Sequence, residues 1–171
     1  MLTLPILLQE GWIAQWSPEG NQPALRTFYY LEGWRIGVDG LDGGTKTGVS
    51  RPASPRGRVF GLVERFVCGD PRATLVRPRG HGMDPVFKRL DPPNSAVVEM
   101  RTEKTRTFGF FAGLNTYVAV SMAETATLKI AGKSDPYEEH TAKVQALIRR
   151  LRAADIDRTT DVEKLVTDVF P

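Results

Sequence analysis

The chain has 171 residues, 41% of them apolar and 25% charged, the composition of a soluble globular protein of one domain or one domain with an extension. A single cysteine, Cys68, excludes an intrachain disulfide and a cysteine-based metal cluster, and no run approaches the roughly 18 apolar residues that a bilayer span requires. The net charge of +3 conceals a gradient: residues 1–50 carry 3 basic and 5 acidic side chains, residues 51–110 carry 12 and 6, and residues 111–171 carry 8 and 9.

The opening "MLTLPILL" is apolar but lacks the basic flank and small-residue cleavage site of a signal peptide, so a cytoplasmic protein is expected. Trp12 and Trp16 stand at helical spacing, but Pro5, Gly11, Pro18 and Gly20 crowd them, and that stretch is left unassigned. In "ALRTFYYLEGWRIGV" (24–38), β-branched and aromatic residues flank Glu32-Gly33, which predicts a β-hairpin. Residues 39–57 are rich in Gly, Pro, Ser and Thr and read as a loop or linker. Residues 1–50 are therefore expected to form a β-rich extension, part of the same domain or a lid, and residues 51–171 the main α+β domain. "GGTKTG" within the linker lacks the spacing of a phosphate-binding P-loop, and Pro52 and Pro55 block the helix that such a loop needs.

"RVFGLVERFVCG" (58–69) fits a helix face through Val59, Leu62, Val63, Phe66 and Val67, although its Val and Phe content suits a strand; a helix is favoured. Cys68, inside this apolar run, reads as a small buried hydrophobe rather than a nucleophile. Residues 70–85 are basic and broken by Pro and Gly, as in a loop with a short helix. Three strand-like runs follow, at 96–102, 105–112 and 116–122, with turns at Glu103-Lys104 and Gly113-Leu114, giving an antiparallel meander. Beyond Gly132 the pattern turns helical. Ser134 or Asp135 caps, Pro136 begins, and Tyr137, His140, Thr141, Val144, Leu147, Ile148 and Leu151 form the inward stripe. A last short helix is expected from Thr160.

Ten of the twelve cations in residues 51–110 are arginines, whose planar forks suit phosphate; a solvated face would give the same count. A two-residue turn at 103–104 pairs Arg101 with Arg106 and Glu99 with Phe108. The second hairpin would add Phe110, Tyr117 and Ser121 to that face, leaving Val98, Met100, Phe111, Val118 and Val120 as the core face. Directly opposed like charges destabilise a sheet. Either Glu99 neutralises one arginine in a surface ion cluster, or a bound phosphate serves both, with aromatic rings beside them for bases to stack on. His81, in the basic loop, is a candidate proton carrier near neutral pH, and neither histidine has a clear carboxylate partner for a metal site.

The succession "FKRLDPPNSAVVEMRT", "TRTFGFFAGLNTYVAV", "LKIAGKSDPYEEHTAKVQALIRRL" resembles the RelE/ParE toxin superfamily, particularly its HigB-like and phage-encoded members, over about residues 57–154. The matching positions are Phe87, Lys88 and Leu90, then Glu99 and Arg101, then Arg106, Phe108 and Phe110, then Lys129, Pro136, Glu139 and Ala142. The resemblance implies an α+β fold with a three- to five-stranded antiparallel sheet packed on helices. It also implies metal-independent, cofactor-free cleavage of mRNA, with RNA or the ribosome and an antitoxin protein as partners and no membrane. In that scheme Arg101, Arg106, His81 and Tyr117 are the catalytic candidates. Arg77, Arg79, Lys88, Arg89, Phe108, Lys129 and Lys133 would bind the nucleic acid. Two departures stand out: the usual paired lysines are reduced to Lys129-Ile130, and the first fifty residues have no counterpart. ParE-like relatives act on gyrase, and some relatives have lost catalysis, so a non-catalytic nucleic-acid- or protein-binding protein of a phage or mobile element is the alternative.

Overall fold

A computed structural model describes residues 2–41, 54–74, 86–90, 96–129, 136–158 and 164–166. In chain order the elements are α1 (Leu4–Gln9), β1 (Ile13–Gln15), β2 (Thr27–Leu31), α2 (Glu32–Gly40) and α3 (Pro55–Val67). They continue with β3 (Phe87–Arg89), β4 (Val98–Arg101), β5 (Thr105–Gly113), β6 (Thr116–Glu124) and α4 (Pro136–Arg150). The fold is α+β, as expected, but the sheet is larger and mixed. Its six strands run in the order β1-β2-β6-β5-β4-β3, and β2 joins β6 in parallel while every other pairing is antiparallel.

The expected hairpin at 24–38 is half right. Thr27–Leu31 is a strand, but the chain after it turns into helix α2 instead of returning. Trp34 and Val38, four residues apart, are buried on one face of that helix, and the indole N–H of Trp34 donates to Thr107 Oγ1 at 3.0 Å. On the same helix a Cβ at Gly33 would lie 3.3 Å from the Val120 carbonyl, and one at Gly37 would lie 3.4 Å from Met122. The glycines thus let α2 lie close on β6, a tertiary gain that overrides the strand propensity of the sequence. Residues 13–31 supply two strands of the common sheet.

Helix α3 confirms the favoured reading of 58–69. Ser54 caps it by accepting the Gly57 N–H at 3.0 Å, Pro55 occupies its first turn, and Val59, Leu62, Val63, Phe66 and Val67 are buried. At its far end Arg26, 2% exposed, donates to the Phe66 carbonyl at 3.2 Å, so a cation meets the negative pole of the helix. The Trp16 indole N–H donates to Glu64 at 2.8 Å and ties the N-terminal segment to α3. Cys68 is only partly buried, not the buried hydrophobe expected; burial and the nearby Glu64 raise its thiol pKa, and its Sγ lies 2.9 Å from Gln22 Oε1, so the thiol holds its proton. Helix α4 also follows its expected stripe, with Val144, Leu147, Ile148 and Leu151 buried. Of the last expected helix only 164–166 is described, where Leu165 and Val166 are buried.

The meander is present, but both of its faces are core. One buries Val98, Met100, Phe111, Tyr117, Ala119 and Met122 with residues of α2 and α3. The other buries Val97, Phe108, Phe110, Val118 and Val120 with residues of α1 and α4. Val118 and Val120 therefore lie opposite to the face expected for them. The second turn is Leu114-Asn115, not Gly113-Leu114; Asn115 adopts φ 59°, a left-handed conformation that asparagine tolerates. Register shifts between Phe108 and Gly109 and between Phe111 and Gly113 complete the change, so Tyr117 opposes Phe111 and Ser121 opposes Phe108. Gly109 is required at the shift, because a Cβ there would sit 2.1 Å from the Val118 carbonyl oxygen.

Candidate functional site

The first hairpin has the expected register: Arg101 opposes Arg106 and Glu99 opposes Phe108. The two arginines do not converge on a shared guest. Arg101 Nε lies 3.2 Å from Glu99 Oε1, an ion pair by distance rather than an aligned bond at that nitrogen, and Glu99 is 2% exposed. Arg106, 7% exposed, turns back on its own hairpin: Nη1 donates to the Thr102 carbonyl at 2.6 Å and to the Thr105 carbonyl at 2.9 Å. The repulsion of opposed cations is offset from within, by a carboxylate on one side and turn carbonyls on the other.

Phe108 is fully buried and cannot serve as a stacking platform for a base. It stacks instead on the His140 ring, centroids 4.8 Å apart and planes 12° apart. His140 Nδ1 lies 3.0 Å from Ser121 Oγ. Burial lowers the His140 pKa, the Lys143 charge adds to that, and Glu139 opposes it. A neutral imidazole wedged between a phenyl ring and a hydroxyl is a packing element of the α4 interface.

Tyr117 leaves the expected site altogether. The one-residue change of register turns it to the α2–α3 face, where it is fully buried and its hydroxyl donates to the Val98 carbonyl at 2.7 Å. Burial and the Glu99 charge raise its pKa well above 10.0, so it holds its proton and has no path to a substrate. Lys88 is exposed on β3 opposite Glu99, while Arg89 is half-buried with a pKa lowered by burial, against the pull of Asp157. Lys129 ends a short 3-10 helix at Thr127–Lys129, its side chain lying outside the described set; His81, Arg77, Arg79 and Lys133 also lie outside the described residues.

A different cationic feature opens at the β3–β4 edge. A cleft of about 460 Å³ is bounded by Gly57, Arg58, Gly61, Leu62 and Arg65 of α3 and by Val86, Arg101, Thr102 and Glu103 of the sheet edge. Val86 accepts the Arg101 backbone N–H at 2.7 Å, which fixes the sheet wall, and Arg58 pairs with Glu103 across the mouth. Arg65 is exposed. Arg58 and Arg65 stand on the α3 wall with Glu103 opposite, an excess of one positive charge, while the Arg101 side chain pairs with Glu99 on the α4 face of the sheet. Leu62 and Val86 add apolar wall.

Arg58 and Arg65 were not among the sequence candidates. A signal existed: seven residues apart on a helix, they share one face, with Gly61 between them. The opposite wall is far away in sequence and came into view only with the fold. Among the described residues no group of three His, Cys, Asp or Glu side chains could hold a metal ion, and no helix is long and apolar enough to cross a membrane.

No protein-family model, curated protein or solved structure matches this chain. The likeness to the RelE/ParE superfamily rests on the residue pattern alone.

Proposed function

We propose that this protein binds RNA, and that it does so through the arginine-lined cleft between α3 and the β3–β4 edge. The observation that carries the reading is the placing of Arg58 and Arg65 on one wall of a cavity of ligand size. Guanidinium forks bind phosphate oxygens in pairs, and the apolar wall of Leu62 and Val86 suits a ribose or base edge. The basic character of residues 51–110 supports a polyanionic partner. Tyr117 and His140 do not line the cleft, so binding without cleavage is favoured. The mRNA cleavage implied by the toxin resemblance would draw on the same cations, with His81 the remaining candidate for proton transfer.

Fluorescence anisotropy with a labelled single-stranded RNA across a salt series tests this, with the RNA run on a denaturing gel afterwards. Affinity should fall linearly with salt on a logarithmic scale. An R58A/R65A double variant should bind at least tenfold more weakly, with a slope shallower by about 0.7 for each phosphate it no longer neutralises. Salt-insensitive binding, or a double variant that binds as well as the parent, would overturn the proposal. Shortened RNA on the gel would instead restore the nuclease reading.

A further inference from the structure

Resting on the RNA reading above, we infer that Gly61 is the size-determining floor of the cleft, and that the site takes an unpaired strand whose backbone lies against the α3 main chain. A glycine inside a helix costs about 1 kcal/mol relative to alanine. Gly61 sits in the middle of α3, a helix of 13 residues, and nothing among the described residues requires it. Its φ is not left-handed, and among the described residues a Cβ built there meets no atom within 4 Å. Gly33 and Gly37 of α2 are the contrast, since each faces an atom of β6 at 3.3–3.4 Å and is explained by helix–sheet packing. The space beside Gly61 is the cleft itself, which Gly61 lines together with Arg58, Leu62 and Arg65. A side chain at 61 would fill the cleft between those two arginines. An occupant that approaches the helix backbone there is what the missing side chain admits.

The dimensions select the form of that occupant. A cleft of about 460 Å³ accommodates a ligand of small-molecule size. Modules that bind double-stranded RNA instead spread across roughly 16 base pairs of duplex surface. An unpaired strand can lower one or two units into the cleft, its phosphates against Arg58 and Arg65 and its apolar edge against Leu62 and Val86. A rigid duplex cannot.

The test uses the full chain with G61A and G61V, the thermal midpoint, and anisotropy with a single-stranded RNA and with the same sequence as a duplex. G61A should hold or raise the midpoint, because it improves the helix, yet bind the single strand at least threefold more weakly. G61V should weaken binding at least tenfold, and the parent should prefer the single strand to the duplex at least tenfold. If G61V lowers the midpoint, G61A alone decides. Undiminished binding by G61A and G61V, while R58A/R65A is impaired, overturns the role of Gly61 and leaves the RNA reading standing. Equal affinity for duplex and single strand overturns the unpaired-strand assignment. Absence of any RNA binding by the parent protein defeats the RNA reading, and this inference with it.

Discussion

Two arginine clusters lie within one sheet edge of each other, and they have opposite characters. On the α4 side, the cross-strand pair Arg101 and Arg106 is closed: a buried carboxylate meets one, two turn carbonyls meet the other, and Phe108 and His140 seal the neighbouring row. On the α3 side, Arg58 and Arg65 project from a helix face that a glycine keeps open, and the one carboxylate opposite, Glu103, is itself exposed where it pairs with Arg58. Proximity of like charges is therefore a poor guide to an anion site. What matters is whether the protein already supplies the counter-charge and whether space remains beside the cations.

Substitutions should separate the two regions, and the largest effect belongs to the closed one. Phe108→Ala should destabilise the protein by about 4 kcal/mol in a urea melt, the cost of emptying an aromatic site in a core. A loss under about 1 kcal/mol would return Phe108 to the surface role first expected of it. Glu99→Gln removes the carboxylate that faces Arg101 and should cost about 3 kcal/mol, as breaking a buried ion pair does. The same change should leave RNA affinity unchanged, because Glu99 does not line the cleft.

A smaller effect should appear on acidification. The folded-state pKa of His140 is lowered below 6.5, chiefly by burial. Between that value and the unfolded one the unfolded chain binds more protons, so stability rises with pH through the window just below 6.5 and is lost as pH falls. Urea midpoints measured from about pH 5 to about pH 7.5 should show this slope in the parent and a flatter one in His140→Gln. The groups facing the ring are Ser121 on β6, Phe108 on β5, and Glu139 and Lys143 on α4. The smallest stability effect is predicted for Arg65→Ala, within about 0.5 kcal/mol because the side chain is exposed. Its readout is RNA affinity, and a large stability loss there would mean that the open cluster is as structural as the closed one.

Much of the fold was legible in local pattern. The stripe of α4 and the face of α3 follow from helical periodicity. The first hairpin register follows from the length of its turn, because two residues at 103–104 leave one way to pair Arg101. Legibility failed where one residue decides a face. Asn115 in place of Gly113 at the second turn, with a register shift at Gly109, sent Tyr117 to one side and Val118 and Val120 to the other. A sheet covered on both faces then hid the error, since nearly every position of β5 and β6 is apolar or small and alternation carries no signal.

By itself the sequence determined the kind of protein: an α+β chain with a cationic middle and a meander followed by an amphipathic helix, all properties that repeat over short spans and need no distant partner. Only the tertiary structure decided which arginines face an open cleft. Arg58 and Arg65 become one wall of a cavity, and Arg101 part of the other, because α3 packs beside the β3–β4 edge. That meeting joins segments far apart along the chain, fixed by the burial of Leu62, Phe66 and Phe87 in a shared core, and no local pattern encodes it.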